Sequence, residues 1–200
     1  MKAKKIVTLA LAAAMVSVSA LSVSAATLTN TNQSGQTEVK GYIGGVTPPG
    51  NVTYEIRIPD SVDFGDLMQY DDYANQGYDV SLEKVENLGA NQQISVYVKD
   101  QNAQVDGNQN FYITNKSNSN VQLRYHVFKV PFDQAGSSVP VNSNTMTKSA
   151  GYFLEGFRNV GDAVHGSLVL NKDQFSSYDS ADLVGEYSGY MVFYSTIEDQ

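Results

Sequence analysis

The run from Val52 to Ile58 constrains this chain more than any other stretch. Val52, Tyr54, Ile56 and Ile58 alternate with Thr53, Glu55 and Arg57. A period of two places the apolar set on one face and the polar set on the other, which is a half-buried strand of an antiparallel sheet. Pro59 ends the strand because proline has no N–H to give a ladder. Val62, Phe64 and Leu67 follow around Gly65, the pattern of a bulged or bent second segment. The same period returns in Tyr78, Val80 and Leu82, and in Ile94, Val96 and Val98. Phe111 and Ile113 start another strand. Val121, Leu123, Tyr125 and Val127 form a long one, with Gln122, Arg124 and His126 on its other face. Gly151 to Phe157, His165 to Leu170 and Tyr187 to Ile197 complete the set.

About eight or nine short strands with turn residues between them predict an all-β fold, a single antiparallel β-sandwich of Ig-like or jelly-roll-like kind. Gln69 to Gly77 reads as a polar loop. Pro131 to Ser149 reads as the longest loop, and only Asp173 to Leu183 as a short helix. The chain has 200 residues with 13 Tyr and 8 Phe, but no Cys and no Trp. No disulfide framework or thiolate metal site is available, so the fold must rest on its hydrophobic core.

The N-terminus carries an export signal. Lys2, Lys4 and Lys5 precede the uncharged apolar run Ile6 to Val16, and Val23-Ser24-Ala25 is a small-residue cleavage site. Residues 1–25 are therefore expected to be a signal peptide, cut after Ala25. Residues 26–36 are Thr/Asn/Gln/Ser-rich and read as a flexible spacer. Residues 37–200 are expected to form the sandwich domain, with Thr37 to Val46 as its first strand. That strand sits between the spacer and Pro48-Pro49-Gly50, so it is a candidate for pairing either within the domain or with a neighbour. Loss of the three leader lysines leaves ten basic residues against twenty-one acidic ones, a mature charge of −11. Nucleic-acid binding needs clustered Lys and Arg, and an acidic surface disfavours anionic membranes.

Chemistry-bearing motifs are sparse. The two histidines, His126 and His165, read as solvated surface side chains, far too few for a cysteine-free zinc site. Gly185-Glu-Tyr-Ser188-Gly189 has the wrong spacing for a nucleophile elbow. Asp100-x-Asn102-x3-Asp106-Gly107 departs from the EF-hand order, since Gln104 stands at position five and glycine at eight. Asp60, Asp63, Asp66, Asp71 and Asp72 offer a second acidic loop. The expectation is no cofactor, with calcium the one cation these loops would suit. In the last strand Met191, Phe193 and Ile197 face one way and Tyr190, Val192 and Tyr194 the other. Tyr190 and Tyr194 are thus the candidate binding face, against the reading of a central strand covered on both sides.

Three segments together carry a family likeness. Tyr54-Glu-Ile-Arg-Ile-Pro-Asp-Ser-Val-Asp-Phe-Gly65, Phe111-Tyr-Ile-Thr-Asn-Lys-Ser117 and Tyr187-Ser-Gly-Tyr-Met-Val-Phe-Tyr194 resemble the opening, middle and closing strands of secreted Gram-positive surface proteins of the WxL-like kind. The resemblance implies a sandwich fold and a surface location. Wall binding in that family is tied to Trp-x-Leu motifs, which this chain lacks, so those residues do not carry over. No sorting motif or apolar tail precedes Gln200, so non-covalent retention at the surface, or release, is expected.

The functional expectation is a secreted bacterial cell-surface or extracellular-matrix protein with a non-catalytic structural, adhesive or binding role. It would be mainly monomeric with a minor strand-exchanged form, and would contact cell-wall or extracellular protein and glycan partners. The alternatives are a carbohydrate-binding module that uses Tyr-rich strand faces and an unrecognised polysaccharide hydrolase.

Overall fold

The computed structural model describes residues 51–101, 110–143 and 151–200, together with the backbone of 27–29 and 34–36. The strands in chain order are β1 (Thr27–Thr29), β2 (Ser34–Gln36), β3 (Thr53–Arg57), β4 (Tyr73–Glu86), β5 (Gln92–Asp100) and β6 (Phe111–Asn115). They are followed by β7 (Gln122–Phe128), β8 (Tyr152–Phe157), β9 (Ala163–Asn171), β10 (Tyr187–Ser188) and β11 (Met191–Asp199). All pair antiparallel, in a seven-stranded sheet β1-β3-β4-β9-β7-β6-β10 and a four-stranded sheet β2-β11-β5-β8. The chain is an all-β sandwich, as its periodicity predicts.

The alternation decides what lies between the sheets. Tyr54, Ile56, Val80, Leu82, Leu123, Tyr125 and Leu170 from the larger sheet meet Ile94, Val96, Val98, Leu154 and Phe193 from the smaller one in one continuous core. Glu55 and Arg57 stay exposed on the other side of β3. The Tyr54 hydroxyl and the Ser195 Oγ, 3.1 Å apart, form a buried hydrogen bond that links the two sheets. The outer face of the larger sheet has a small satellite cluster of Phe128, Val169 and Ala135, roofed by the short helix α1 (Phe132–Ala135).

Several local expectations are revised. The Ile58–Asp66 stretch is not a second strand segment. It crosses the end of the core as a loop that buries Phe64 and enters a 3-10 turn at Leu67–Gln69. Gly65 has φ 66°, the left-handed region that favours glycine, so the chain turns there instead of continuing extended. The expected loop at Gln69 to Gly77 becomes strand from Tyr73 onward, because β9 offers a partner from Asn171 back to Ala163 and Ala74 is buried beside it. Tertiary pairing overrides the weak strand propensity of Ala, Asn and Gln. The expected helix at Asp173 to Leu183 divides into a 3-10 turn, Lys172–Ser177, and a four-residue helix α2, Ser180–Leu183.

The run Tyr187 to Ile197 is not one strand. β10 belongs to the larger sheet and β11 to the smaller, and the chain changes sheets at Gly189 and Tyr190. A Cβ at Gly189 would stand 2.2 Å from the Tyr112 carbonyl oxygen, so only glycine permits this crossing against β6. Residues 26–36, read as a spacer, include β1 and β2, which form one edge of each sheet. Thr27–Thr29 pairs with Glu55–Arg57, and Ser34–Gln36 pairs with Val192–Tyr194. Strand pairing needs only backbone groups, so a polar composition does not forbid it. The expected signal peptide and the expected strand Thr37 to Val46 lie outside the described residues. Among the described residues no helix is long and apolar enough to cross a membrane.

Candidate functional site: a groove between two loops

At one end of the larger sheet the regular ladder comes apart, for a reason visible in the register. β7 pairs with β9 only from His126 to Phe128. β9 ends at Asn171, so the backbone groups of Arg124 and Gln122 on that side lack a neighbouring strand. Two side chains take its place. The Gln174 amide accepts from the Arg124 N–H at 2.7 Å and donates to the Arg124 carbonyl at 2.9 Å. The Tyr178 hydroxyl donates to the Gln122 carbonyl at 2.9 Å and accepts from its N–H at 3.4 Å. The backbone accounting is met without a strand. The segment from Lys172 to Glu186 is thereby free to leave the ladder and pack Phe175, Tyr178 and Leu183 against the core.

Asn115 fixes the far end of that segment. It is buried, its Oδ1 accepts from the N–H groups of Ser117 and Asn118, and its Nδ2 donates to the carbonyls of Asp182 and Val184. The Tyr187 hydroxyl donates to the Leu183 carbonyl at 2.8 Å and closes the turn. Opposite, the loop after Ile58 is pinned by Phe64, edge-on to Tyr125 with ring centres 6.0 Å apart. The Tyr70 hydroxyl adds a 2.9 Å hydrogen bond to the Phe64 carbonyl.

Between the two loops lies an open groove of about 1090 Å³. Ile113 and Leu123 form its floor, Val62 and Leu67 one wall, Leu183 and Tyr187 the other. Its lips are unusual for the molecule. Met68 on one and Val184 on the other are 72% and 75% exposed, two of the few large apolar side chains left in water among the described residues. Asp63, Asp66 and Glu186 also line it, with Lys116 as the one basic residue among those described. Lys116 is already held by Glu186 at 3.0 Å, and its N–H donates to the Glu186 carbonyl.

Of the expected face, Tyr194 lies on the outside of the smaller sheet, and Tyr190 stands at the change of sheets just before β11. Both side chains are half-buried. Tyr194 sits opposite Tyr97, and Tyr97 opposite Phe153, so one row of rings crosses β11, β5 and β8. Tyr97 and Phe153 meet edge-on at 5.7 Å. The Tyr97 hydroxyl donates to the Glu198 carboxylate at 2.8 Å. Burial first, and that carboxylate second, push it up to about 12. Sequence parity foresees Tyr190 and Tyr194 but passes over Tyr97 and Phe153. Tyr97 is hidden between Val96 and Val98 in an apolar run, although its own parity is that of the outer face.

The remaining candidates are dispersed. His126 is half-buried, not solvated as expected. The Arg124 guanidinium donates to its Nε2 at 3.0 Å, and Asn142 Oδ1 lies 3.5 Å from Nδ1. Desolvation, then the Arg124 charge, lower its pKa, so the imidazole is kept neutral. His165 is exposed beside Asp79 at 2.7 Å. Asp63 and Asp66 accept from the N–H groups of Gly65 and Met68, as ordinary turn formers. Asp100 is buried and accepts from the Tyr112 N–H, which ties β5 to β6. Asn102, Gln104 and Asp106 lie outside the described residues. Among the described residues no three His, Asp or Glu side chains converge in a way that could hold a metal ion. No protein-family model, no curated protein and no solved structure matches this chain.

Proposed function

We propose that this chain is a secreted bacterial surface or matrix protein with a binding and assembly role, not a catalytic one, and that the groove between the Ile58–Tyr70 and Lys172–Glu186 loops is its contact surface. The observation that carries the reading is the groove itself. An apolar floor of this volume, with Met68 and Val184 exposed at its mouth, is surface that a monomer has reason to cover. The loops around it are held by side-chain-to-backbone hydrogen bonds, so the surface is formed before a partner arrives. The charged start, apolar run and small-residue site of residues 1–25 support export, and an acidic mature chain suits a soluble life outside the cell.

The test begins with the protein in culture medium, whose intact mass should start at Ala26. Mature protein should then be retained on purified Gram-positive cell envelope, while Met68→Asp/Val184→Asp is not. Both substitutions fall on exposed positions and should leave the melting temperature in place. Equal retention of the two proteins would remove the groove from the account, and full-length chain in the membrane fraction would remove secretion.

Tyr194 and Phe153, half-buried on either side of the buried Tyr97, support a second reading, a carbohydrate-binding face, because their partly exposed rings offer stacking surface. Under that reading Tyr194→Ala, not the groove variant, would abolish retardation in a polysaccharide affinity gel.

A further inference from the structure

We infer that the groove accepts an extended, lysine- or arginine-bearing segment of a partner protein, added as a further strand on the open side of β10. This rests on the groove being the contact surface. Four features of the same corner lead to it.

First, β10 is the last strand of the larger sheet, and no strand among the described residues pairs with its outer edge. The Lys116 N–H donates to the Glu186 carbonyl, and Ser188 stands opposite Thr114. In an antiparallel ladder the residues that bond across alternate with those that face away. Tyr187, between them, therefore directs its own N–H and C=O out of the sheet, where an added strand bonds. Second, the groove runs directly beside this edge, lined by Gly185, Tyr187 and Ser188. Successive side chains of an added strand point to opposite faces, so alternate apolar residues would drop toward Ile113 and Leu183. Third, the Met68 and Val184 lips give an entering segment apolar contact on both sides.

Fourth, the electrostatics choose the partner. Asp63 and Asp66 each give one oxygen to a backbone N–H and show no other partner among the described residues. The sole basic lining residue is already neutralised by Glu186. Among the described residues the groove thus carries spare negative charge and no spare positive charge. A second copy of a chain with more acidic than basic residues would bring like charge to it. A cationic side chain on the solvent-facing parity of the added strand meets these carboxylates instead.

The experiment is fluorescence anisotropy with mature protein (Ala26–Gln200) and three labelled octapeptides. One alternates Lys and Val, one alternates Glu and Val, and one is the Lys/Val peptide N-methylated on the bonding edge. The Lys/Val peptide should bind and weaken with salt, and the other two should bind at least about tenfold more weakly. Val184→Asp and the cap-preserving pair Asp63→Asn/Asp66→Asn should each weaken the Lys/Val peptide by about tenfold at unchanged melting temperature. Equal binding of the Glu/Val peptide overturns the charge argument, and equal binding of the N-methylated peptide overturns strand addition. If the Lys/Val peptide does not bind while Val184→Asp still abolishes envelope retention, the groove serves another ligand and this inference falls alone. If Val184→Asp changes neither readout, the groove reading falls with it. Concentration-dependent self-association lost in Val184→Asp would make a second copy the occupant and overturn the basic partner.

Discussion

His126 shows how a single side chain can be tied to pH without belonging to a site. Its Nε2 accepts from Arg124, and burial together with that charge disfavours the imidazolium. An unfolded imidazole titrates near about 6.5. Its folded pKa is lowered, so below that value the unfolded chain binds the extra proton more readily. The contribution to stability is therefore complete above this pH and is lost as pH falls through it. Urea midpoints measured across this range should decline on the acid side, and His126→Gln should flatten the decline. The burial contrast on β3 gives a second residue-level expectation. Ile56 is fully buried while Glu55 and Arg57 are exposed. Ile56→Ala should cost about 2–5 kcal/mol in denaturant unfolding, and Glu55→Ala or Arg57→Ala about 0.5 kcal/mol or less. Alternation alone makes these positions legible, because which face a side chain takes is a local property of a strand. Gln174, Tyr178 and Asn115 were not legible in their roles. Each satisfies backbone groups brought beside it only by the folded topology, and nothing in the neighbouring residues announces that partner.

At the scale of elements, the segment after β9 is a loop that behaves as the missing part of a strand. Gln174→Ala should leave the Arg124 amide open to solvent, and Tyr178→Phe should do the same to Gln122. The expected result is faster hydrogen exchange at those two amides, with about 1 kcal/mol lost per hydrogen-bonding group removed. Unchanged protection would mean that the two side chains only decorate a ladder end already closed by other contacts. The longer strands were readable from the sequence, but β1 and β2, within residues read as a spacer, were not, and strand boundaries were less so. β4 begins earlier than its alternation suggests because the polar residues Asn75 and Gln76 are recruited by β9. Tyr187 to Ile197 divides because Gly189 must lie against Tyr112, a contact between residues far apart in the chain. The groove follows from these two departures from regularity, the early end of β9 and the late change of sheets. Periodicity cannot show it for that reason, although Ile113, Leu183 and Tyr187 are each unremarkable apolar residues.

For the whole molecule, stability rests on one core shared by the two sheets. The chain has no cysteine, and in the loops Asp63, Asp66 and Asp162 accept from backbone N–H groups, while among the described residues no three acidic or histidine side chains converge on one point. Exposure to a chelator should therefore leave the melting temperature within error, and a drop of many degrees would identify a cation in one of the loops. β11 carries a consequence of another kind. It is the final strand of the sequence, yet it stands inside the smaller sheet, bonded to β5 along all nine residues and to β2 on its other side. Its partner β5 lies about a hundred positions upstream, so the decisive pairing closes a very long loop and should be slow. Until β11 is seated, β5 and β8 are the only described neighbours in the smaller sheet that can pair, and β2 has no partner there. Such a keystone leaves one edge of β5 and the apolar inner face of the larger sheet open until it docks, and that is the stage at which refolding chains would pair wrongly with one another.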